Sequence, residues 1–350
     1  MENDVKELEP KLKEKVKKNV LYLGILTIVM LFAGFTSAYV VMMKDAFWLK
    51  LRLPDAFWIS TVIILISSLT IHLALKAAKK GNKKGLKLFI TLTFVLGLAF
   101  TYFQFDGWGK MYDSGNSFIA PTLNPAPYGE EYAVRYNGEE VYFDGESFEI
   151  QGKEVSNEVE NDLINFSKKI YDAGYQGPYK GLDYGKKIII VHKPSGSHIS
   201  MENDQFFVDS AEITLEKRID LIKFAHTVYK KVGYFFTRGD YGKDYTLMWN
   251  GSPVDYEDGN LTIDGKPLDG IQINMLESDQ NMTGTFIYLF SVVHWLHLLG
   301  GLLYLIILLS KSYKGIYDEN NHLQIKLGGI YWHFLDILWV YLFLFLHFIH

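Results

Sequence analysis

Two histidines three residues apart, His294 and His297, and a similar pair, His333 and Asp336, are the groups in this sequence best placed to do chemistry. Each pair sits inside a long apolar stretch, 283–309 and 327–349. A hydrocarbon core of about 30 Å needs roughly 20 helical residues, so both stretches are long enough to span a bilayer. An ionisable side chain at that depth costs about 2–3 kcal/mol or more, so it faces protein and has a role. Residues at i and i+3 share a helix face, which makes His294 and His297 a candidate metal or haem ligand pair. Asp336, one turn after His333, is a candidate proton-handling carboxylate. It lies at similar depth to His297 in an antiparallel span, so a direct or water-bridged hydrogen bond between them is also expected. Both pairs also fit plain hydrogen bonding between packed helices, and that reading is preferred: a diiron bundle needs glutamates beside its histidines, and the spans carry none. Trp332 and Trp339, seven apart on one face, read as packing or lipid contacts.

These groups must be held by a bundle. Three further apolar stretches, 20–43, 56–78 and 88–105, complete five spans, with the third the shortest. The first carries Gly24, Ala33, Gly34, Ser37 and Ala38, small residues that let helices approach closely. The second carries Ser60, Thr61, Ser67, Ser68 and Thr70, whose hydroxyls can bond back to the helix or across to a neighbour. His72 reads as interfacial or structural. The fold class is an all-α transmembrane bundle with an inserted soluble α+β domain. The expected divisions are a tail 1–19, helices over 20–105, the insertion 106–282, and helices over 283–350.

The residues around His294 and His333 resemble subunit III of the haem–copper oxidases. The carriers are Val-His-Trp-Leu-His-Leu-Leu-Gly-Gly at 293–301 and Tyr-Trp-His-Phe-Leu-Asp-Ile-Leu-Trp at 331–339. Ser60-Thr61, Ser67-Ser68-Leu69-Thr70 and Ala74 match another family stretch, and Gln104 opens a third whose acid, Asp106, is displaced by one residue. The resemblance covers a little under half the chain and implies the five-helix form. It implies a subunit without a redox centre that packs on subunit I, beside subunit II, in a respiratory proton-translocating oxidase. Haem and copper then lie in the partner subunits, and this chain binds phospholipid and supports proton uptake and turnover stability. Two positions depart from the pattern: Ile28 stands where the family has a glutamate, and Lys326 replaces another shortly before Tyr331. The signatures of subunit I are absent. A related subunit of a quinol oxidase or nitric oxide reductase, or a membrane receptor with a periplasmic binding domain, are the alternatives.

The chain has 350 residues, 49% hydrophobic, and no cysteine. That composition is too polar for a bundle alone. It excludes disulfides, thiolate metal sites and Cys-x-x-Cys-His haem attachment. The first apolar stretch is too long for a cleavable signal. Charge separates sharply. Residues 106–282 hold 30 acidic against 17 basic residues, a net of −13, and the remainder carries +8. The N-terminal tail, the 76–87 loop and the 311–326 loop are basic and so face the cytoplasm. That puts the insertion and His350 in the periplasm, in a bacterial inner membrane.

Within the insertion, 107–129 reads as a loop. Residues 132–149 alternate around Asn137-Gly138 and Asp144-Gly145, as hairpins do. Residues 155–173 and 211–232 have helical spacing, 187–192 is a buried strand, and 260–268 turns at Asp264-Gly265. His192 and His198 flank Lys-Pro-Ser-Gly-Ser as a weak metal candidate. Arg238-Gly239-Asp240 and the Asn250 and Asn260 glycosylation patterns read as chance. Opposite charge attracts a basic partner, so the insertion either steers a basic cytochrome c or braces the partner subunits. The brace is preferred because the acids are spread from Asp113 to Asp279. No nucleic-acid partner is expected.

Overall fold

The computed structural model describes residues 10–44, 47–123, 128–129, 131–143, 147–174, 177–182, 184–208, 210–231, 235, 237–257 and 260–349. The first nine residues of the tail, the Asp144-Gly145 turn and His350 lie outside the described residues. The chain divides into two compact units, 1–113 with 282–350, and 114–281.

The first unit is a bundle of five helices, each long and apolar enough to cross a membrane. They are α1 (Pro10–Met42), α2 (Asp55–Lys79), α3 (Lys83–Asp113), α7 (Met282–Tyr313) and α8 (Leu323–Phe348). A short strand, β1 (Phe47–Leu51), lies between α1 and α2. Helix α2 packs along α3 and α8, α7 packs on α3 and α8, and α1 touches α7 and α8. Outward leucines, valines and isoleucines such as Leu23, Val41, Leu65, Leu88 and Leu303 are exposed, as lipid-facing side chains are.

The third span is not the shortest. Helix α3 runs through Gly107 and Gly109 to Asp113, so 107–113 is helix rather than loop. Packing overrides the weak helix propensity of glycine here. A Cβ on Gly107 would sit 2.5 Å from Phe57 Cε1, so only glycine lets α2 and α3 meet there. Asp106 and Lys110 pair across one turn at 2.7 Å, and Trp108 Nε1 donates to Ser291 Oγ on α7 at 2.9 Å. Lys326, the departure noted above, is paired with Glu14 of α1 at 2.8 Å.

The second unit is built from one motif used three times. Tyr128-Gly129, Tyr184-Gly185 and Tyr241-Gly242 recur 56 and 57 residues apart. Each is followed after two residues by a strand, then a meander, then a capped helix. The first copy has β2 (Tyr132–Tyr136), β3 (Glu139–Phe143), β4 (Phe148–Ile150), β5 (Lys153–Glu154) and α4 (Asn157–Ala173). The second has β6 (Ile188–His192), β7 (Ser197–Glu202), β8 (Gln205–Val208), β9 (Ala211–Glu212) and α5 (Leu215–Lys230). The third has β10 (Tyr245–Trp249), β11 (Ser252–Pro253), β12 (Asp255–Glu257), β13 (Asn260–Ile263), β14 (Lys266–Pro267) and α6 (Gly270–Ser278). Ala211 and Glu212 are therefore strand, and the helix expected from 211 starts at Leu215. Helix α6 was not anticipated, although Asp269 and Gln272 form a full capping box at its start.

The tyrosine organises each copy. Its hydroxyl accepts a backbone N–H six residues on, from Val134, Ile190 and Leu247, at 3.1 Å in each case. It donates to a carbonyl 13 or 15 residues on, beyond the first hairpin turn: Val141 at 2.5 Å, Ile199, and Val254 at 2.6 Å. Burial pushes the Tyr184 and Tyr241 hydroxyls up to about 12, which keeps the donor proton in place. The glycine after it, at φ +88°, +82° and +83°, turns the chain so that its N–H reaches the strand. Asn137-Gly138 and Asn250-Gly251 take left-handed φ at equivalent hairpin positions, as a type I′ turn requires.

Copies one and two form a single antiparallel sheet, ordered β5-β4-β3-β2-β6-β7-β8-β9. Their first strands pair with Val134 opposite Ile190, the middle residue of each. The register therefore relates the two copies by a local two-fold. Leu163, Phe166 and Ile170 of α4 and Leu221, Phe224 and Val228 of α5 close the core beneath it. His226, beside the Tyr171 ring at 5.1 Å, is pushed down to about 4 by burial, with Lys230 and Arg238 adding to the shift.

Candidate functional site

The serines and threonines of α2 form a polar seam through the bundle. Ser60, Thr61 and Ser67 each donate to a main-chain carbonyl and accept from a side chain of a neighbouring helix, which uses the proton and one lone pair of each hydroxyl. Thr61 Oγ1 donates to Phe57 O at 2.7 Å and accepts Trp339 Nε1 at 2.9 Å. Ser67 Oγ accepts Trp332 Nε1 at 2.9 Å. Ser60 Oγ accepts Gln104 Nε2 of α3 at 3.0 Å. Thr70 and Thr93 share a 2.8 Å hydrogen bond between α2 and α3. Two tryptophans seven residues apart on α8 thus meet two hydroxyls six apart on α2, as antiparallel helices allow.

Trp332 is almost fully buried. Its six-membered ring edge fills a notch left by two glycines. A Cβ on Gly97 would stand 2.9 Å from Trp332 Cη2, and one on Gly301 would stand 3.1 Å from Cζ3. Trp339 is enclosed by Phe100 at 5.3 Å, Phe57 at 5.9 Å and His294 at 5.2 Å between ring centroids.

His294 is completely buried between Phe100 and Trp339, and neither ring nitrogen has a hydrogen-bond partner among the described residues. His297 lies apart from it, half-buried beside Phe32 of α1, with Nδ1 2.7 Å from Val293 O of its own helix. No direct hydrogen bond joins His297 to Asp336. The i, i+4 carbonyl captures the imidazole because it is always within reach of a helical side chain. Asp336 instead belongs to a cluster with Ser68, His333 and His72. Ser68 Oγ is hydrogen-bonded to His333 Nδ1 at 2.6 Å. Asp336 Oδ2 lies 4.0 Å from that nitrogen. The His72 and His333 rings are 6.4 Å apart. Ser68 also faces the Asp336 carboxylate, outside hydrogen-bonding geometry. Among the described residues, no group of three or more His, Asp or Glu is arranged to hold a metal ion. In the second unit, His192 Nδ1 meets Ser195 Oγ at 2.7 Å across its own hairpin turn, which is a turn contact.

A groove of about 580 Å³ opens elsewhere in the bundle. It is lined by Val16, Lys17 and Val20 of α1, Gly300 and Tyr304 of α7, and Gly328 and Tyr331 of α8. Its walls are apolar apart from Lys17 and the two tyrosines.

Five spanning-length helices whose interior is stitched by hydroxyl–indole pairs, with an α+β unit inserted between the third and fourth, define a multi-pass membrane protein. Residues 274–350 match the family profile of cytochrome c oxidase subunit III, so the part of the chain that carries α7 and α8 is subunit III-like. Cytochrome c oxidase subunit 3 of Pyricularia grisea is 33% identical over 61 residues, 17% of this chain and 23% of that protein. The Synechocystis sp. subunit 3 is 32% identical over 65 residues, 18% and 28% of the two chains. The Spodoptera frugiperda subunit 3 is 30% identical over 61 residues, 17% and 42%. The match thus spans less than half the length of these relatives.

Sequence reasoning named Gln104, His294, His297, Trp332, His333, Asp336 and Trp339 without their partners. Ser60, Thr61, Ser67 and Ser68 were legible as hydroxyls able to bond across. It missed the Gly97–Gly301 notch and Ser291, for which spacing alone carries no signal.

Proposed function

We propose that this chain is the non-redox subunit III of a respiratory haem–copper terminal oxidase, packed on the haem-bearing subunit I beside subunit II. The observation that carries the reading is that Trp332, His333, Asp336 and Trp339 all turn inward onto the hydroxyls of α2. The residues most like subunit III are therefore those that hold this bundle together. The apolar groove beside Lys17 suits an acyl chain, with the ammonium meeting an anionic headgroup, and we assign it to a bound phospholipid. Purification of the tagged chain in mild detergent is expected to bring down a haem-containing partner with an oxidase absorption spectrum. Recovery of the intact chain without haem would overturn the assignment.

The basic 76–87 and 311–326 loops support a cytoplasmic N-terminus and a periplasmic insertion. A cysteine at Ser197 is expected to react with an impermeant thiol reagent in cells with a permeabilised outer membrane, and one at Asn82 is not. The opposite pattern would reverse the orientation.

In the Ser68–His333–Asp336 cluster, a structural role predicts that Asp336→Asn keeps most turnover, because shape and polarity survive. Asp336→Leu is expected to loosen the subunit from the complex by a modest amount, since intramembrane polar contacts average only about 0.6 kcal/mol of coupling. Loss of turnover in a fully assembled Asp336→Asn complex would show instead that the carboxylate handles protons.

A further inference from the structure

We propose that the helix bundle binds a water molecule in its core, between the imidazole of His294 on α7 and the amide oxygen of Gln104 on α3. Both side chains are fully buried. Neither nitrogen of His294, nor Gln104 Oε1, has a hydrogen-bond partner among the described residues. The other end of the amide is in use, because Gln104 Nε2 donates to Ser60 Oγ at 3.0 Å. An unpaired amide or imidazole in apolar surroundings is costly, and the bilayer core supplies no solvent to relieve it. Buried groups of this kind are satisfied by a protein partner or by ordered water.

Helix register brings the two side chains together. Helices α3 and α7 run antiparallel: Trp108 bonds Ser291, and the notch at Gly97 lies against Leu302. Eleven residues of α3 thus match eleven of α7, which sets Gln104 level with Trp295 and one residue from His294. Trp295 turns the other way, onto Phe105 and Trp108. A second route leads to the same place through α2. Ser60, which holds Gln104, precedes Thr61, which holds Trp339, and the Trp339 ring lies 5.2 Å from that of His294. Phe100, one turn before Gln104, closes the layer at 5.8 Å from His294.

The chemistry of the three groups is complementary to water. A neutral imidazole has one N–H and one bare nitrogen, an amide oxygen only accepts, and water brings two protons and two lone pairs. A water that accepts from the His294 N–H donates to Gln104 Oε1. Its second proton has Ser60 Oγ, which keeps one lone pair after donating to Phe57 O and accepting from Gln104. About three polar partners is the usual complement of a buried water. A metal ion fits less well, because the described residues offer one imidazole here and no carboxylate or second histidine beside it. Seated in this layer, the water links α7 to α3 and α2 between the Trp108–Ser291 bond and the Gly97 notch.

The test is solid-state NMR of the full chain in phospholipid bilayers, with the histidine rings labelled with nitrogen-15. The His294 signals are identified by their loss in His294→Phe. Magnetisation is passed to the rings either from water protons or from lipid acyl-chain protons. The expected result is transfer to His294 at least twofold faster from water than from the acyl chains, although the residue is sealed from both phases. Gln104→Met keeps the side-chain length and removes the acceptor, and it is expected to slow the transfer from water at least twofold. No transfer from water to His294 in the unsubstituted chain would overturn the proposal, and that measurement decides by itself if Gln104→Met does not fold. Transfer left unchanged by Gln104→Met in a folded bundle would also overturn it, since the water would then sit elsewhere. So would a direct hydrogen bond between the His294 ring and the Gln104 amide.

Discussion

Replacing Trp332 by alanine is expected to destabilise the helix bundle by about 3–5 kcal/mol, the range for removing a buried aromatic side chain. Three losses coincide at this position. The indole ring leaves a cavity walled by Gly97 and Gly301, which have no side-chain atoms to refill it. Ser67 Oγ loses its indole donor. The contact between α8 and both α3 and α7 is removed at once. The complementary change is Gly97→Leu, which puts a side chain where a Cβ already meets Leu302 at 2.7 Å and Trp332 at 2.9 Å. Overpacking of that kind costs about 1–3 kcal/mol. If the notch is the reason for both effects, Gly97→Leu combined with Trp332→Ala recovers part of the loss. Detergent melts of the four proteins, read as a double-mutant cycle, measure it. Strict additivity would show that the two positions do not share one contact.

Removing the hydroxyl from the repeated tyrosine is expected to weaken the inserted unit by about 1–3 kcal/mol per copy, the cost of leaving buried polar groups unsatisfied. Tyr128→Phe frees Val134 N–H and Val141 O together, and Tyr184→Phe frees Ile190 N–H and Ile199 O. The ring stays, so packing is nearly unchanged and the effect isolates the hydrogen bonds. The equivalent Tyr241→Phe in the third copy is expected to cost a similar amount. Each kcal/mol corresponds to about 2–4 °C in the melting temperature for a unit of this size. Protease susceptibility of the insertion against urea, measured on the intact chain, compares all three. Changes within about 0.5 kcal/mol would show that the first strands are held by sheet pairing alone. The two-fold register makes a further point. Because Val134 and Ile190 face each other, Tyr128→Phe and Tyr184→Phe act on the same pair of strands, and their combined effect departs from additivity. Neither is expected to couple to Tyr241→Phe, whose strand belongs to a different sheet.

Much of this molecule follows from local features of the sequence. Length and hydropathy alone set five spans, because the bilayer imposes the minimum length of a helix whatever its neighbours. Asn137-Gly138 and Asp264-Gly265 set their hairpins, because left-handed φ is cheap only for such residues. The hydroxyl-rich face of α2 and the polar residues of α7 and α8 were likewise readable one by one. Their pairing was not. Trp339 finds Thr61, and His333 finds Ser68, through the register of two helices more than 260 residues apart in sequence. His297 turns to its own helix instead of to Asp336, a choice between partners at similar depth that only packing makes. Helix α3 outruns its apolar stretch because Phe57 and Ser291 reward its continuation past Gly107. The threefold repeat lies between these cases. Tyr-Gly at 128, 184 and 241 is written in the chain, but the second copy replaces Asn-Gly by the longer turn 193–196, which breaks the spacing. Three-dimensional structure ignores that insertion, because a hairpin loop adds residues outside the sheet. It therefore brings Leu163, Leu221 and Leu276 to the same buried place in their three helices.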